Sequence, residues 1–540
     1  MFLLTLLCYI LSAWCASVIV ERILRNSKIT SPLSHRRMVD VIGDYGEESP
    51  GQSDEIYPVH FIDQAAIVRS SVISYSFRYE HVLDPQRLRE SLSALLSSGD
   101  WRKLAGRLRQ NRDGKLEIHV PRRFSRSRPP IRFSHVDYGM NMDAHPLARR
   151  LPRKTGKKPS VHEGCHAFRE LSIPSSLLNN INHYLSTDEP LISLHINSFT
   201  DGTIISLTFP HSLSDAMGTA DMLQAWTRVF RGEKVELLEA HVGGARKDIL
   251  ESVGTADDKT AHSTEFVLDK QQTTGLSLLI FIARYAFDVS MHRNVEARHI
   301  YLPAAFLAHL RQQAEEELRL HDGTRNESTR FVSSGDLITA WGSRMVLSSA
   351  PTKGAAVICN VFDMRKRLSF LKTHSSLRGA SYIQNLILPS TTLLTADKAS
   401  TLSVSQIALE VRKSIVEQTS EAQVRSLMRI ARTWFSSLGT MPLFASWDTV
   451  RIIACTNWAS ARLPNHAGLT PVATAANKKT CADEGSPIAF WGTALAASDN
   501  PRDTFVIYGK DDDGDYWVHA YLRKETWHLI EKELDQFSPS

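Results

Sequence analysis

Residues 203–218 read TIISLTFPHSLSDAMG. Thr203 to Phe209 predicts a strand, and the preceding Leu191 to Ile196 (LISLHI) predicts another. Thr200-Asp201-Gly202 between them is a turn signal, so the two strands read as a hairpin. Pro210 ends the second strand. Residues 216–230 (AMGTADMLQAWTRVF) then read as an amphipathic helix, with Met217, Met222, Leu223, Trp226 and Phe230 on or near one face. The junction holds an HxxxD pattern, His211-Ser212-Leu213-Ser214-Asp215. His211 follows an apolar strand and a proline, at a sheet edge where a site can form. Asp215 stands at the helix start, where its carboxylate can accept backbone N–H bonds and fix the turn. A neutral imidazole has the right proton affinity to take a proton from an alcohol near neutral pH. The local physics leaves a second reading open: a capping Asp beside an unrelated exposed His.

The chain around this stretch has 540 residues, 42% of them hydrophobic and 22% charged. That is ordinary globular usage and length for two large domains. It excludes wholesale disorder, collagen and a multi-span transporter. The net charge of +5 is too mild to make nucleic acid the expected partner. One end is unusual. Met1 to Val20 carries no charged residue, and Glu21, Arg22, Arg25 and Lys28 follow. This run is long enough to cross a bilayer. Positive charge on its C-terminal side favours keeping that side in the cytoplasm. We read it as an uncleaved anchor, in a membrane such as the endoplasmic reticulum, with a cytosol-facing body. A signal peptide fits less well, because nothing basic precedes the apolar core and Cys15-Ala16-Ser17 is a poor cleavage site. A helix that only touches the membrane is the third reading. The six cysteines include no CxxC pair, which matches neither a zinc site nor a dense disulfide framework.

Residues 29–55 are polar and broken by Pro and Gly, as a tether would be. Segment 86–112 predicts two helices separated at Gly99-Asp100, and Leu116 to Val120 a strand. The basic stretch 122–158 reads as a solvated loop, a phosphate or anionic-lipid contact being the alternative. Residues 231–273 are polar and read as a linker. Residues 275–289 (GLSLLIFIARYAFDV) are apolar but short, which predicts a buried or interfacial helix rather than a second span. Further helices are predicted over 304–320, 333–350, 402–417, 421–435 and 524–537. Further strands are predicted over 355–361, 449–455, 504–508 and 516–521. There is no GxSxG, GxxxxGK[ST], HExxH or GxGxxG. Asp511-Asp512-Asp513 resembles a metal cluster, but Gly514 follows it between two strands, so it reads as a turn.

In this context HSLSDAMG (211–218) resembles the active-site motif of the BAHD acyltransferases, closer to their fungal than to their plant branch. Other blocks fall in the family's order: Asn360-Val361-Phe362-Asp363-Met364-Arg365 with Arg367 and Leu368, and Tyr382-Ile383-Gln384-Asn385 with Gln384 in place of Gly. Thr456-Asn457-Trp458 and Arg462-Leu463-Pro464 then lead to where the family carries DFGWG, and the C-terminal run from Tyr508 to Leu522 is similar too. At the DFGWG position this chain has Asn465-His466-Ala467-Gly468-Leu469, so His466 or Ala467 replaces the Asp, and a domain-stabilising ion pair is expected to be lost.

The resemblance implies an α/β (α+β) protein. Two chloramphenicol-acetyltransferase-like domains, with mixed sheets flanked by helices, would enclose a central channel. It divides the chain into an anchor (1–28), a tether (29–56), an N-terminal domain with HxxxD (57–240), a linker or crossover (241–294) and a C-terminal domain (295–540). It implies an acyl-CoA-dependent O-acyltransferase with acetyl-CoA as co-substrate, no metal and no permanent cofactor. His211 would act as general base and Asp215 would orient its loop. The acceptor would be a small apolar alcohol such as a terpenoid or polyketide-like secondary metabolite. The protein is expected to be a membrane-anchored monomer that binds no nucleic acid. Two alternatives stand beside this. A carrier-protein-dependent condensation-type transferase usually has a second His before HxxxD, where this chain has Pro210. A non-catalytic binding protein on a degenerate acyltransferase fold is the other.

Overall fold

The computed structural model describes residues 38–39, 53–174, 180–235, 244–321, 331–349, 354–373, 381–469, 489–496 and 501–538. The anchor expected over 1–28 and most of the tether expected over 29–56 lie outside them. Among the described residues, no helix is long and apolar enough to cross a membrane.

Two large mixed sheets organise the molecule. The first has six strands in the order Met38–Val39, Arg132–Asp137, Ser193–Phe199, Gly202–Pro210, Ser71–Tyr79 and Ala489–Ala496. The second has seven, in the order Ile387–Leu394, Ala355–Asp363, Thr449–Asn457, Thr504–Lys510, Tyr516–Arg523, Val295–Leu302 and Ser160–Glu163. A small third sheet joins Glu55–Pro58, Leu116–Val120 and Arg107–Gln110. The halves exchange strands. Ala489–Ala496 pairs antiparallel with Ser71–Tyr79 on the N-terminal sheet, and Ser160–Glu163 pairs antiparallel with Val295–Leu302 on the C-terminal one.

The predicted hairpin forms, with Phe199 opposite Gly202 and Leu194 opposite Leu207. All nine residues of Gly202–Pro210 are buried, since the strand is central and covered on both faces. The helix Ala216–Phe230 follows, and Met222, Leu223, Trp226 and Phe230 bury its inner side against the helix Pro85–Leu96 and the sheet. Helices Ala304–His321, Ser334–Ser349, Val404–Gln418, Glu421–Leu438 and Lys524–Gln536 lie where periodicity puts them.

Three expectations differ from the structure. The basic stretch 122–158, expected as a solvated loop, contributes the strand Arg132–Asp137 to the first sheet. The second helix in 86–112 is a 3₁₀ segment, Gly99–Ala105, followed by the strand Arg107–Gln110. Gly106 lies so close to the strand Leu116–Val120 that a Cβ there would sit 2.2 Å from Ile118 Cγ2. Pairing with that strand therefore overrides the helical spacing of the leucines. The polar linker expected over 231–273 is, in its described part, packed: Leu250, Val253 and Phe266 are buried with Ile62, Met364, Leu386 and Trp434 in one apolar cluster. That cluster draws on both halves and on the connection between them.

Candidate active site

The site is built where the central strand Gly202–Pro210 leaves the first sheet. His211 begins a 3₁₀ turn, His211–Leu213, and Asp215 caps the next helix by accepting the Gly218 N–H at 2.9 Å. The turn is buried from Ser212 to Asp215, whereas His211 is only partly covered. Its Nδ1 is 3.2 Å from the Ser214 carbonyl oxygen. A carbonyl can only accept, so Nδ1 carries the proton and Nε2 keeps a free lone pair. Burial pushes the imidazole below its ordinary value, which keeps it neutral at neutral pH.

Asp215 does not face His211. Its carboxylate forms a two-pronged pair with Arg365, whose Nη1 and Nη2 donate at 3.0 and 2.9 Å. The Leu386 N–H donates to Oδ2 at 2.9 Å. With Gly218, this gives the buried carboxylate four donors. Arg365 also donates to Asp363 at 2.8 Å and to the carbonyls of Tyr382 and Gln384 at 2.8 and 3.0 Å. These anions and dipoles hold the guanidinium charged above its ordinary range despite its burial. The HxxxD turn is therefore clamped to the segment that leads into the edge strand of the second sheet.

The same segment grips the turn three more times. Ser214 Oγ donates to the Ile383 carbonyl at 2.9 Å. Gly218 approaches that carbonyl so closely that a Cβ would lie 2.0 Å from the oxygen, so a side chain is excluded there. Asn385 Nδ2 donates to the His211 carbonyl at 2.7 Å and to Asp63 Oδ1 at 2.6 Å. Asp63 is fully buried, and desolvation pushes its carboxyl well above the usual carboxylate range, against the pull of the buried Lys103 ammonium. Gln384, which stands where the resemblance expects Gly, is 1% exposed, and neither polar atom of its side chain has a partner among the described residues.

The structure thus places both predicted residues in one turn but separates their roles. His211 presents Nε2, and Asp215 holds the turn in place from behind. Sequence reasoning did not assign Arg365, Asn385 or Asp63 to the site. Arg365 and Asn385 stood inside blocks already noted for their order, and that was the available signal.

At the position of the missing Asp, segment 463–469 docks through its backbone. Thr227 Oγ1 donates to the His466 carbonyl and the Tyr79 hydroxyl to the Ala467 carbonyl, both at 2.7 Å. Leu463, Ala467 and Leu469 are buried in the N-terminal core. This docking needs no ion pair. The Asp511–Asp513–Asp515 group has spacing that could hold a metal ion, but Lys154 Nζ lies 2.8, 2.5 and 3.3 Å from the three carboxylates. The ammonium stands where a cation would, and Asp511 closes the turn by accepting the Asp513 and Asp515 N–H groups. Elsewhere in the basic stretch, Arg128 bridges Asp54 and Asp188, and Arg132 pairs with Glu189.

The chain is similar to several known proteins. The sequence profile of the Transferase family matches residues 171–441. The acetyltransferase BOT5 of Botryotinia fuckeliana is 53% identical over 513 residues, covering 91% of this chain and 92% of the relative. The O-acetyltransferase PaAT-2 of Phomopsis amygdali is 32% identical, covering 89% and 98%. Among solved structures, TRI101 of F. sporotrichioides in complex with coenzyme A and T-2 superposes with a TM-score of 0.61. Its identity is 15%, over 90% of this chain and 98% of that one.

Proposed function

Because this chain belongs to the Transferase family and is an O-acetyltransferase, we propose that His211 is its general base. We propose further that it transfers acetyl from acetyl-CoA to a hydroxyl of a small apolar secondary metabolite, terpenoid or polyketide-like. The observation that carries the reading is the fixed tautomer of His211. With Nδ1–H committed to the Ser214 carbonyl, Nε2 is left to accept a proton. Nε2 takes the proton of the acceptor hydroxyl as its oxygen attacks the thioester carbonyl. The tetrahedral intermediate collapses, the C–S bond breaks, and the protonated Nε2 returns its proton to the CoA thiolate. Asp215 and Arg365 are positioning residues that keep the turn still during the transfer. The acyl-CoA and the acceptor would meet His211 from opposite faces of a channel between the halves. The near-neutral net charge suits an apolar acceptor better than a polyanion. We place the enzyme as a monomer at a membrane, held by residues 1–28 with its body toward the cytosol.

The test is transfer itself. Full-length protein is incubated with acetyl-CoA and a panel of hydroxylated terpenoids and polyketides, and products are read by mass spectrometry. An acetylated product that His211→Ala no longer forms, while still binding acetyl-CoA by calorimetry, supports the reading. Undiminished transfer by a folded His211→Ala protein sinks the assignment. Failure of the unaltered protein to bind acetyl-CoA points instead to a carrier-protein donor or a binding role.

A further inference from the structure

Residues 275–291, GLSLLIFIARYAFDVSM, form one 17-residue helix. A helix apolar on every side is ordinarily found in a core or a bilayer. Here none of its residues is buried, and none belongs to any of the four apolar clusters. At 3.6 residues per turn, Leu276, Ile280, Ala283, Phe287 and Met291 fall on one stripe. All five are exposed, with Leu276 at 71%, Phe287 at 67% and Met291 at 63%.

Polar clasps attach the helix to the body, and its inward apolar side chains, among them Leu278, Phe281 and Ile282, are only half-buried. Just before it, Thr273 Oγ1 donates to the Ala445 carbonyl at 2.9 Å and accepts the Ala445 N–H at 2.8 Å. Midway, Arg284 donates to the Trp447 carbonyl at 2.8 Å. Near the end, Asp288 is bound by Arg451, Arg502 and Arg523 at 3.1, 3.3 and 2.5 Å. These three arginines are almost fully buried. The helix's single carboxylate is thus directed into the body and neutralised there. Two exposed cations flank the stripe, Arg284 and, just past the helix end, Arg293, and the half-exposed Asp448 lies beside Trp447. Trp447 is 62% exposed, and its ring lies 5.7 Å from the Arg284 guanidinium. An exposed apolar stripe rimmed by Trp and Arg, with its acid turned inward, complements a surface that is apolar below and anionic above.

We propose that the helix Gly275–Met291 lies in the plane of an anionic lipid bilayer. Leu276, Ile280, Phe287 and Met291 enter the acyl boundary, and Arg284, Arg293 and Trp447 rest at headgroup level. This is a second membrane contact, separate from residues 1–20 and independent of the transfer chemistry. Two clasped ends and a carboxylate locked to three arginines make it a surface element, not a span.

Hydrogen–deuterium exchange on full-length protein tests it, with phosphatidylcholine vesicles and with the same vesicles containing phosphatidylserine. The expected result is slower exchange in 275–291 and around Trp447 with the anionic vesicles, and a several-fold weaker effect with the neutral ones. Replacing Leu276, Ile280 and Phe287 by Ser should lower vesicle partitioning by about tenfold per side chain, with acetyl-CoA binding retained as the check on folding. Phe287→Ser alone serves if the triple variant does not fold. Vesicle-bound protein with unchanged exchange in 275–291 overturns the proposal. So does lipid-free protection that rises with protein concentration, which would make the face a contact between copies. Lipid-free protection that disappears when residues 1–20 are removed also overturns it, because the chain's own apolar start would then be the cover.

Discussion

Arg365→Met is the sharpest test of how the site is held. Asp215 is 3% exposed and takes two of its four hydrogen bonds from Arg365. Methionine fills similar space but leaves the carboxylate with only the Gly218 and Leu386 N–H groups. Removing one partner of a buried pair strands the other charge and costs about 3–5 kcal/mol. The carbonyls of Tyr382 and Gln384 also lose their donor, so the upper part of that range applies. The double variant Asp215→Asn/Arg365→Met removes the stranded charge. It should be more stable than Arg365→Met alone, with a coupling of about 1–3 kcal/mol. Guanidinium unfolding followed in parallel by tryptophan fluorescence and circular dichroism measures this and shows any departure from a single transition. Transfer rate, assayed under native conditions, should fall in the single variant and recover partly in the double. If the two substitutions add to within about 0.5 kcal/mol, the pair is not an energetic unit and the reasoning fails.

Three further outcomes follow from the same geometry. His211→Ala should lower kcat by about 10²–10⁴-fold while leaving the unfolding midpoint nearly unchanged, as expected for loss of a general base; a strongly shifted midpoint would mark a structural role instead. Because burial lowers the His211 pKa, kcat/KM should rise with pH through an inflection below the ordinary histidine value of about 6.5 and be flat above it. The same shift means the folded state binds fewer protons than the unfolded one below that value. His211's stability contribution is therefore complete above it and lost as pH falls, and an acidic limb centred above neutrality contradicts the assignment. Asp63→Asn keeps the oxygen that accepts from Asn385 at a site where burial already disfavours the charged carboxylate, so it should cost under about 1 kcal/mol, whereas Asp63→Ala leaves two donors unpaired and should cost about 2–3 kcal/mol in denaturant titration.

Local periodicity made much of the fold legible. The hairpin, the helix after it and the paired strands Thr504–Lys510 and Tyr516–Arg523 are short-range patterns. The HxxxD turn was legible because its pattern lies within five residues. What holds that turn lies 150 and 174 residues further along, in Arg365 and Asn385, and no local pattern pairs residues at such distances. Segment 107–110 misleads for a related reason, since its leucine spacing suits a helix while a partner strand decides the outcome. The stretch 244–273 is polar in composition, yet a few apolar residues, Leu250, Val253 and Phe266, suffice to dock it. The altered 465–469 segment lacks the Asp on which the resemblance puts a domain-stabilising ion pair. Its docking runs through carbonyl groups that every sequence carries.

The exchanged edge strands have a consequence during synthesis. Among the described residues, Ser71–Tyr79 gains its outer neighbour from Ala489–Ala496 alone. The ribosome reaches that segment about 400 residues later, some 20–80 s at ordinary elongation rates. Throughout that interval the nascent N-terminal half presents an unpaired row of N–H and C=O groups flanked by large apolar side chains, the kind of edge that recruits other strands. Neither half can be cut out and produced alone without leaving such an edge, and a chain truncated before residue 489 should aggregate rather than persist as a smaller folded protein. Completion of the N-terminal sheet thus waits on a segment some 400 residues downstream and not on its own half of the chain.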